Sequence, residues 1–186
     1  MNSVLVDHAH CEMKAAVNAL SLAAHPPKTV DAHAVVRTLT DIAREEIEHF
    51  QDVIAILEQR GVALGPPRTD PYAVALRRAS QELGPTSLPP LVDRLLVAAL
   101  IEARSCERFK LLTAVLADGP DDILRAFYER LFVAEARHYR TFVDLAITAA
   151  NRNEDGVHAR LTKLAALEGA IVSNLPDRPS RATVHG

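Results

Sequence analysis

Apolar positions along residues 3 to 24, namely Leu5, Ala9, Ala16, Leu20 and Ala23, recur at combinations of three and four, the period of one helix face, with Glu12 on or beside that face. His25-Pro26-Pro27 stops this first helix, and Thr29 or Asp31 offers a side-chain oxygen to cap the next. The second helix is predicted from about Asp31 to Arg60, with Val35, Leu39, Ile42, Glu46, His49, Val53, Ile56 and Leu57 as one stripe and Gly61 as its stop. From Gly61 to Pro90 the pattern breaks around Gly65-Pro66-Pro67, Asp70-Pro71, Gly84-Pro85 and Pro89-Pro90, leaving one short helical piece over Tyr72 to Glu82. A third long helix is expected over Leu91 to Ala117 and a fourth over Asp122 to Ala150, joined by Asp118-Gly119-Pro120-Asp121. A shorter helix over Val157 to Val172 packs outside, and about 173–186 reads as a flexible tail. The thirty residues between the second and third long helices exceed what adjacent antiparallel helices need and suit a crossover along the bundle.

Composition narrows the class. Hydrophobic content of 48% with 7 Gly, no Trp and little β-branched clustering favours an all-α fold, and 186 residues make one domain spanning 1–186. Two cysteines, Cys11 and Cys106, are too few for a disulfide framework, and the first residues show no charged segment followed by an apolar core, so a reducing cytoplasm is the expected location. No apolar run reaches the roughly 18 to 20 residues of a membrane span. The net charge of −3 argues against a polyanionic partner. That argument weakens if four glutamates are bound to metal, because the remainder is then slightly positive. Its cations are overwhelmingly arginine, the side chain that matches phosphate.

Two Glu-x-x-His segments stand out, Glu46 with His49 and Glu135 with His138, each placing a carboxylate and an imidazole on one helix face. Two such pairs on antiparallel helices, with a glutamate from each of two further helices, form the ligand set of dinuclear carboxylate bundles. The halves of the chain align as an internal repeat that lays Cys11-Glu12 over Cys106-Glu107 and Asp7 over Glu102. The expected ligands are therefore Glu12, Glu46, His49, Glu107, Glu135 and His138, with Glu102 as the alternative to Glu107 and with Asp7 as an outer acid. Oxygen-rich ligation suits iron or manganese better than structural zinc, and two iron ions are the expectation. Tyr139 and the two cysteines read as packing residues.

The chain resembles the tRNA 2-methylthio-isopentenyl-adenosine hydroxylases, a ferritin-like di-iron family. The resemblance rests on Asp7-His8-Ala9-His10-Cys11-Glu12, Ile42-Ala43-Arg44-Glu45-Glu46 with His49-Phe50, Leu96 through Ile101-Glu102-Ala103-Arg104-Ser105-Cys106-Glu107-Arg108-Phe109, and Glu135-Ala136-Arg137-His138. It covers all four long helices and implies a ferritin-like four-helix bundle with a long crossover between the second and third helices and an extra C-terminal helix. It further implies O2-dependent hydroxylation of the isopentenyl chain on the adenosine beside the tRNA anticodon, by hydrogen abstraction from an allylic methyl and return of the hydroxyl. Electrons would come from a separate reductase, since the chain has no flavin or iron–sulfur motif.

Two other readings fit the same residues. One is a ferritin-like protein that stores iron or scavenges peroxide without an organic substrate. The other is a metal-free interaction domain whose buried acids pair with Arg44, Arg104, Arg108 and Arg137. A tRNA substrate requires its anticodon loop to be held by cations, and Arg77 and Arg78 are the expected contacts. The oligomeric state is not encoded in any motif.

Overall fold

A computed structural model describes residues 1–28 and 31–175, and over these the chain forms six α-helices. They are α1 (Asn2–Ala23), α2 (Ala32–Gln59), α3 (Pro71–Glu82), α4 (Pro90–Leu116), α5 (Asp122–Ala149) and α6 (Glu154–Ser173). The expected helices are thus present, with ends shifted for local reasons. Helix α6 begins a turn early because Asn153 accepts from the Gly156 N–H at 3.0 Å. Asp70 and Asp121 cap α3 and α5 in the same way, through the Ala73 and Leu124 N–H groups. Asp31 stands at the start of α2 without a side-chain cap bond. Gly61, at φ +63°, ends α2 in the left-handed conformation that lets the Val62 N–H return to the Leu57 carbonyl at 2.9 Å. Most of the expected tail, and Thr29, lie outside the described residues.

Helices α1 and α2 pack along their length as one antiparallel pair, and α4 and α5 as another, whereas α1 and α4 scarcely touch. The residues between α2 and α4 form the expected crossover, with α3 resting on α4 and α6. Two roots hold α6 in place. Arg160 makes a buried bidentate contact with Asp93 of α4 at 2.7 and 2.8 Å, and the Tyr72 hydroxyl of α3 donates to Glu168 at 3.1 Å.

Buried apolar side chains divide into two clusters. One gathers Leu22, Leu39, Tyr72, Leu96 and Phe142 with Val157 and Leu164 of α6, and the other gathers Leu5, Val53, Leu57, Phe109, Tyr128 and Leu131. Each long helix contributes to both. Between them every helix places its buried polar residues at one level: Glu12 on α1, Glu46 on α2, Glu102 on α4, and Glu135 and His138 on α5. The helix stripes thereby carry a polar layer into the middle of an apolar interior. No helix among the described residues is long and apolar enough to cross a membrane.

Candidate metal centre and the cleft that reaches it

Spacing explains why these side chains converge. On α2 and α5 a glutamate and a histidine three residues apart share the inward face, and α1 and α4 each bring one glutamate from the opposite pair. Two groups of potential ligand atoms result, each lying within 4.8 Å of one another: Glu12, Glu46, His49 and Glu135, and Glu46, Glu102, Glu135 and His138. Glu46 and Glu135 belong to both, so the arrangement is that of two neighbouring ion sites with two shared carboxylates. His49 Nδ1 lies 3.5 Å from Glu46, 3.6 Å from Glu12 and 3.8 Å from Glu135. His138 Nδ1 lies 2.8 Å from Glu46 Oε1 and 3.8 Å from Glu135 Oε2.

Glu107 is not part of this cluster. Its side chain is 59% exposed and pairs with Arg104, while Glu102 is buried among the other acids. Five residues on a helix turn about 140° from the starting face, so only one of the two can point inward. The phase of α4 selects Glu102, which continues the buried positions Leu95, Ala98, Ser105 and Phe109 at spacings of three and four. The repeat of Cys-Glu in the two halves pointed to the wrong acid because it matches residue identity rather than helix phase.

The donor set fits metal. Glu46 Oε1, both oxygens of Glu135, His49 Nδ1 and His138 Nδ1 are buried without a hydrogen-bond partner. Groups of this kind are costly to bury unless a cation satisfies them. The alternative in which arginines neutralise the acids fails on geometry: Arg44 pairs with Asp41, Arg104 with Glu107 and Arg137 with Glu45.

Electrostatics agree. Burial disfavours the charged form of Glu102 and, together with the charges of Glu135, Glu46 and Glu12, pushes its carboxyl well above the usual range. Glu46 is raised by burial and by Glu12. Burial acts on Glu12 as well, but His8 and His49 outweigh it and hold that carboxyl down at about 2. The imidazoles go the other way. Burial opposes their charged form, yet Glu12 and Glu46 raise His49 to about 10, and Glu135 and Glu46 raise His138 to about 11. Four crowded acids demand positive charge, and in the absence of an ion the two histidines supply it as protons.

Two outer partners escaped the sequence reading. His8, fully buried against Phe109 and Tyr128, holds Glu12 Oε1 at 2.5 Å through Nε2, and Glu45 Oε2 lies 2.9 Å from His138 Nε2. The signal for His8 was its position one helical turn before Glu12. Glu45 carries no such signal, because it adjoins Glu46 in sequence and reaches α5 only in the folded bundle. Asp7, expected as an outer acid, receives the Cys11 thiol at 3.9 Å.

Where α1 and α4 stand apart, a cleft of about 900 Å³ opens between them under α3 and the segment at 68–70. Glu102 lines it, so the cleft reaches the metal cluster. Val97, Ala98 and Ile101 form its α4 wall, and Lys14, Arg68, Arg77 and Arg94 also line it. Arg77 thus falls on the cleft as expected for a substrate contact. Arg78 does not: it projects into solvent and pairs with Glu82 at 2.8 Å.

An all-helical bundle with paired Glu-x-x-His helices and two shared carboxylates defines the ferritin-like class of dinuclear metal proteins. A solved structure of this class, protein 43 with aldehyde deformylating oxygenase activity from Synechococcus, matches with a TM-score of 0.77 and 34% identity over 100% of this chain and 87% of that one. Within the class, the chain belongs to the tRNA-(MS2IO6A)-hydroxylase (MiaE) family, whose model matches residues 1–183. Two curated relatives carry the name tRNA 2-(methylsulfanyl)-N(6)-isopentenyladenosine(37) hydroxylase. The protein from Pseudomonas putida is 37% identical over 96% of this chain and 81% of its own length. The one from Salmonella typhimurium is 31% identical over 83% of this chain, which spans only 54% of that relative's length.

Proposed function

We propose that this protein hydroxylates the isopentenyl arm of 2-methylthio-isopentenyl-adenosine beside the tRNA anticodon, using O2 at a di-iron centre held by Glu12, Glu46, His49, Glu102, Glu135 and His138. The observation that carries the reading is the cleft ending on Glu102. A protein that only stores iron or scavenges peroxide needs the cluster but no route wide enough for an organic group. Bound iron would supply the oxidising equivalent; one oxygen atom of O2 enters the alcohol, and the other leaves as water after two electrons arrive from an external reductase.

The chain's own residues do the rest. The carboxylates hold the metal charge in a water-poor layer, Glu45 and His8 fix the orientation of His138 and Glu12, and the apolar α4 wall orients the hydrocarbon while keeping water out. The test is mass analysis of tRNA nucleosides from cells with and without the gene, together with purified, iron-loaded protein given undermodified tRNA, O2 and a reductant. Gain of one oxygen atom on the prenylated adenosine is expected, and its loss in His49→Ala and His138→Ala variants that no longer retain iron. An unchanged nucleoside profile in both assays would sink the proposal.

A further inference from the structure

The cleft is graded in polarity along α4. Arg94, Val97, Ala98, Ile101 and Glu102 line it at intervals of three, four, seven and eight residues from Arg94, which places them on one helix face. Arg94 marks the outer end, where its guanidinium donates to Ser21 Oγ of α1 at 3.0 Å. Eight residues of helix separate it from Glu102 by about 12 Å. That is the scale of one nucleotide stretched from its phosphate to the tip of a substituent on its base.

Charge follows the same axis. Arginines elsewhere are largely matched, as in Arg60 with Asp121, Arg130 with Asp52 and Arg160 with Asp93. Among the described residues no carboxylate pairs with Lys14, Arg68, Arg77 or Arg94 in the cleft. The acids in the cleft walls are otherwise engaged: Asp93 is held by Arg160, Asp70 caps α3, and Glu102 belongs to the cluster. Guanidinium groups without acidic partners are matched to phosphate, and RNA loops are read by drawing single nucleotides out of the stack. Val17 and Val74 line the cleft yet remain more than half exposed, giving a base an apolar surface to lie against.

We propose that the cleft takes one nucleotide extruded from an RNA loop, with its phosphate at Arg77 and Arg94 and the hydrocarbon arm of its base along Val97, Ala98 and Ile101 toward Glu102. This rests on the hydroxylase reading and adds the direction in which the substrate lies. It separates two kinds of recognition: the arginines grip any RNA loop, and the α4 wall selects for the hydrocarbon.

The experiment compares iron-loaded wild type, Arg77→Gln/Arg94→Gln, Ile101→Trp and Ile101→Ala in binding anticodon stem-loops with and without the prenyl group, across a salt series. The double variant is expected to bind both RNAs about tenfold more weakly, and its log affinity against log salt to flatten by about 1.4, or 0.7 per lost phosphate contact. Ile101→Trp, which fills the sleeve, is expected to weaken only the prenylated RNA by about tenfold, and Ile101→Ala, which folds with least disturbance, to lower the preference in the same direction. Iron content and helical signal stay at wild-type values throughout. Wild type that hydroxylates the prenylated RNA while all variants bind it unchanged overturns the cleft placement and leaves the hydroxylase reading standing. Variant-dependent binding with no turnover by wild type supports the nucleotide site and removes the chemistry. Wild type that does not distinguish the two RNAs overturns the role of the α4 wall.

Discussion

Glu45 Oε2 sits 2.9 Å from His138 Nε2, a partnership across two helices that turns the other ring nitrogen, Nδ1, toward Glu46 and Glu135. Arg137 contacts the same carboxylate from the solvent side. An outer carboxylate of this kind sets the tautomer and basicity of a ligating histidine. Glu45→Ala is expected to lower metal affinity by about 10- to 100-fold with little change in fold, and Glu45→Gln, which keeps an acceptor oxygen, to recover part of it. Metal titrations of the three proteins decide; equal affinities would show that His138 is oriented by packing alone.

Glu102→Ala should abolish stoichiometric metal binding, whereas Glu107→Ala should leave it intact. Glu107 makes an exposed pair with Arg104, and such pairs contribute about 0 to 1 kcal/mol. Metal analysis and thermal melting of both variants would check this, and loss of metal in Glu107→Ala alone would count against the assignment of Glu102.

Metal uptake should release protons. In the metal-free protein His49 and His138 are raised to about 10 and about 11 by the facing carboxylates, so both are protonated at neutral pH. A ligating imidazole must be neutral, so binding expels those protons and affinity rises with pH across the neutral range. The same shifts set the sign for apo stability: the contribution of the charged imidazoles is complete below their unfolded value of about 6.5 and disappears as pH climbs through 10 and 11. Ferrous iron titrated anaerobically into weakly buffered protein with a pH indicator reads the release directly; no acidification would contradict protonated histidines.

The fold was legible because the helix stripes of a bundle repeat over many turns, and both Glu-x-x-His pairs announce themselves by fixed local spacing. The ligand from α4 was harder. Glu102 and Glu107 are both glutamates within a turn and a half, and identity with Cys11-Glu12 favoured the one whose phase is wrong. The buried neighbours Leu95, Ala98 and Ser105 carried the right answer. Arg77 and Arg78 were equivalent in sequence for a similar reason, since a residue's step of about 100° around α3 decides which one meets the cleft. Glu45 and Arg94 act across helices, and local periodicity contains no information on such contacts.

The Asp93–Arg160 contact is expected to matter beyond its own bonds. Arg160→Ala removes a buried charged partner and should cost about 1.5 to 3 kcal/mol of stability. It also frees an acid in the cleft wall, so RNA binding should weaken while metal content holds. Denaturant unfolding and the stem-loop titration measure the two effects; a stability loss with unchanged RNA affinity would restrict the pair to a structural role.

The polar layer has hydrophobic material above and below it, with every long helix anchored in both clusters. The chain therefore carries its chemistry on a shelf between two independent supports. Residues on the shelf and along the α1–α4 cleft can vary without either support being redrawn, and the scaffold becomes a chassis on which successive lineages exchange substrates. Divergence of activity within this class is then written in the walls of the cleft, and the record of common descent is kept in the two cores.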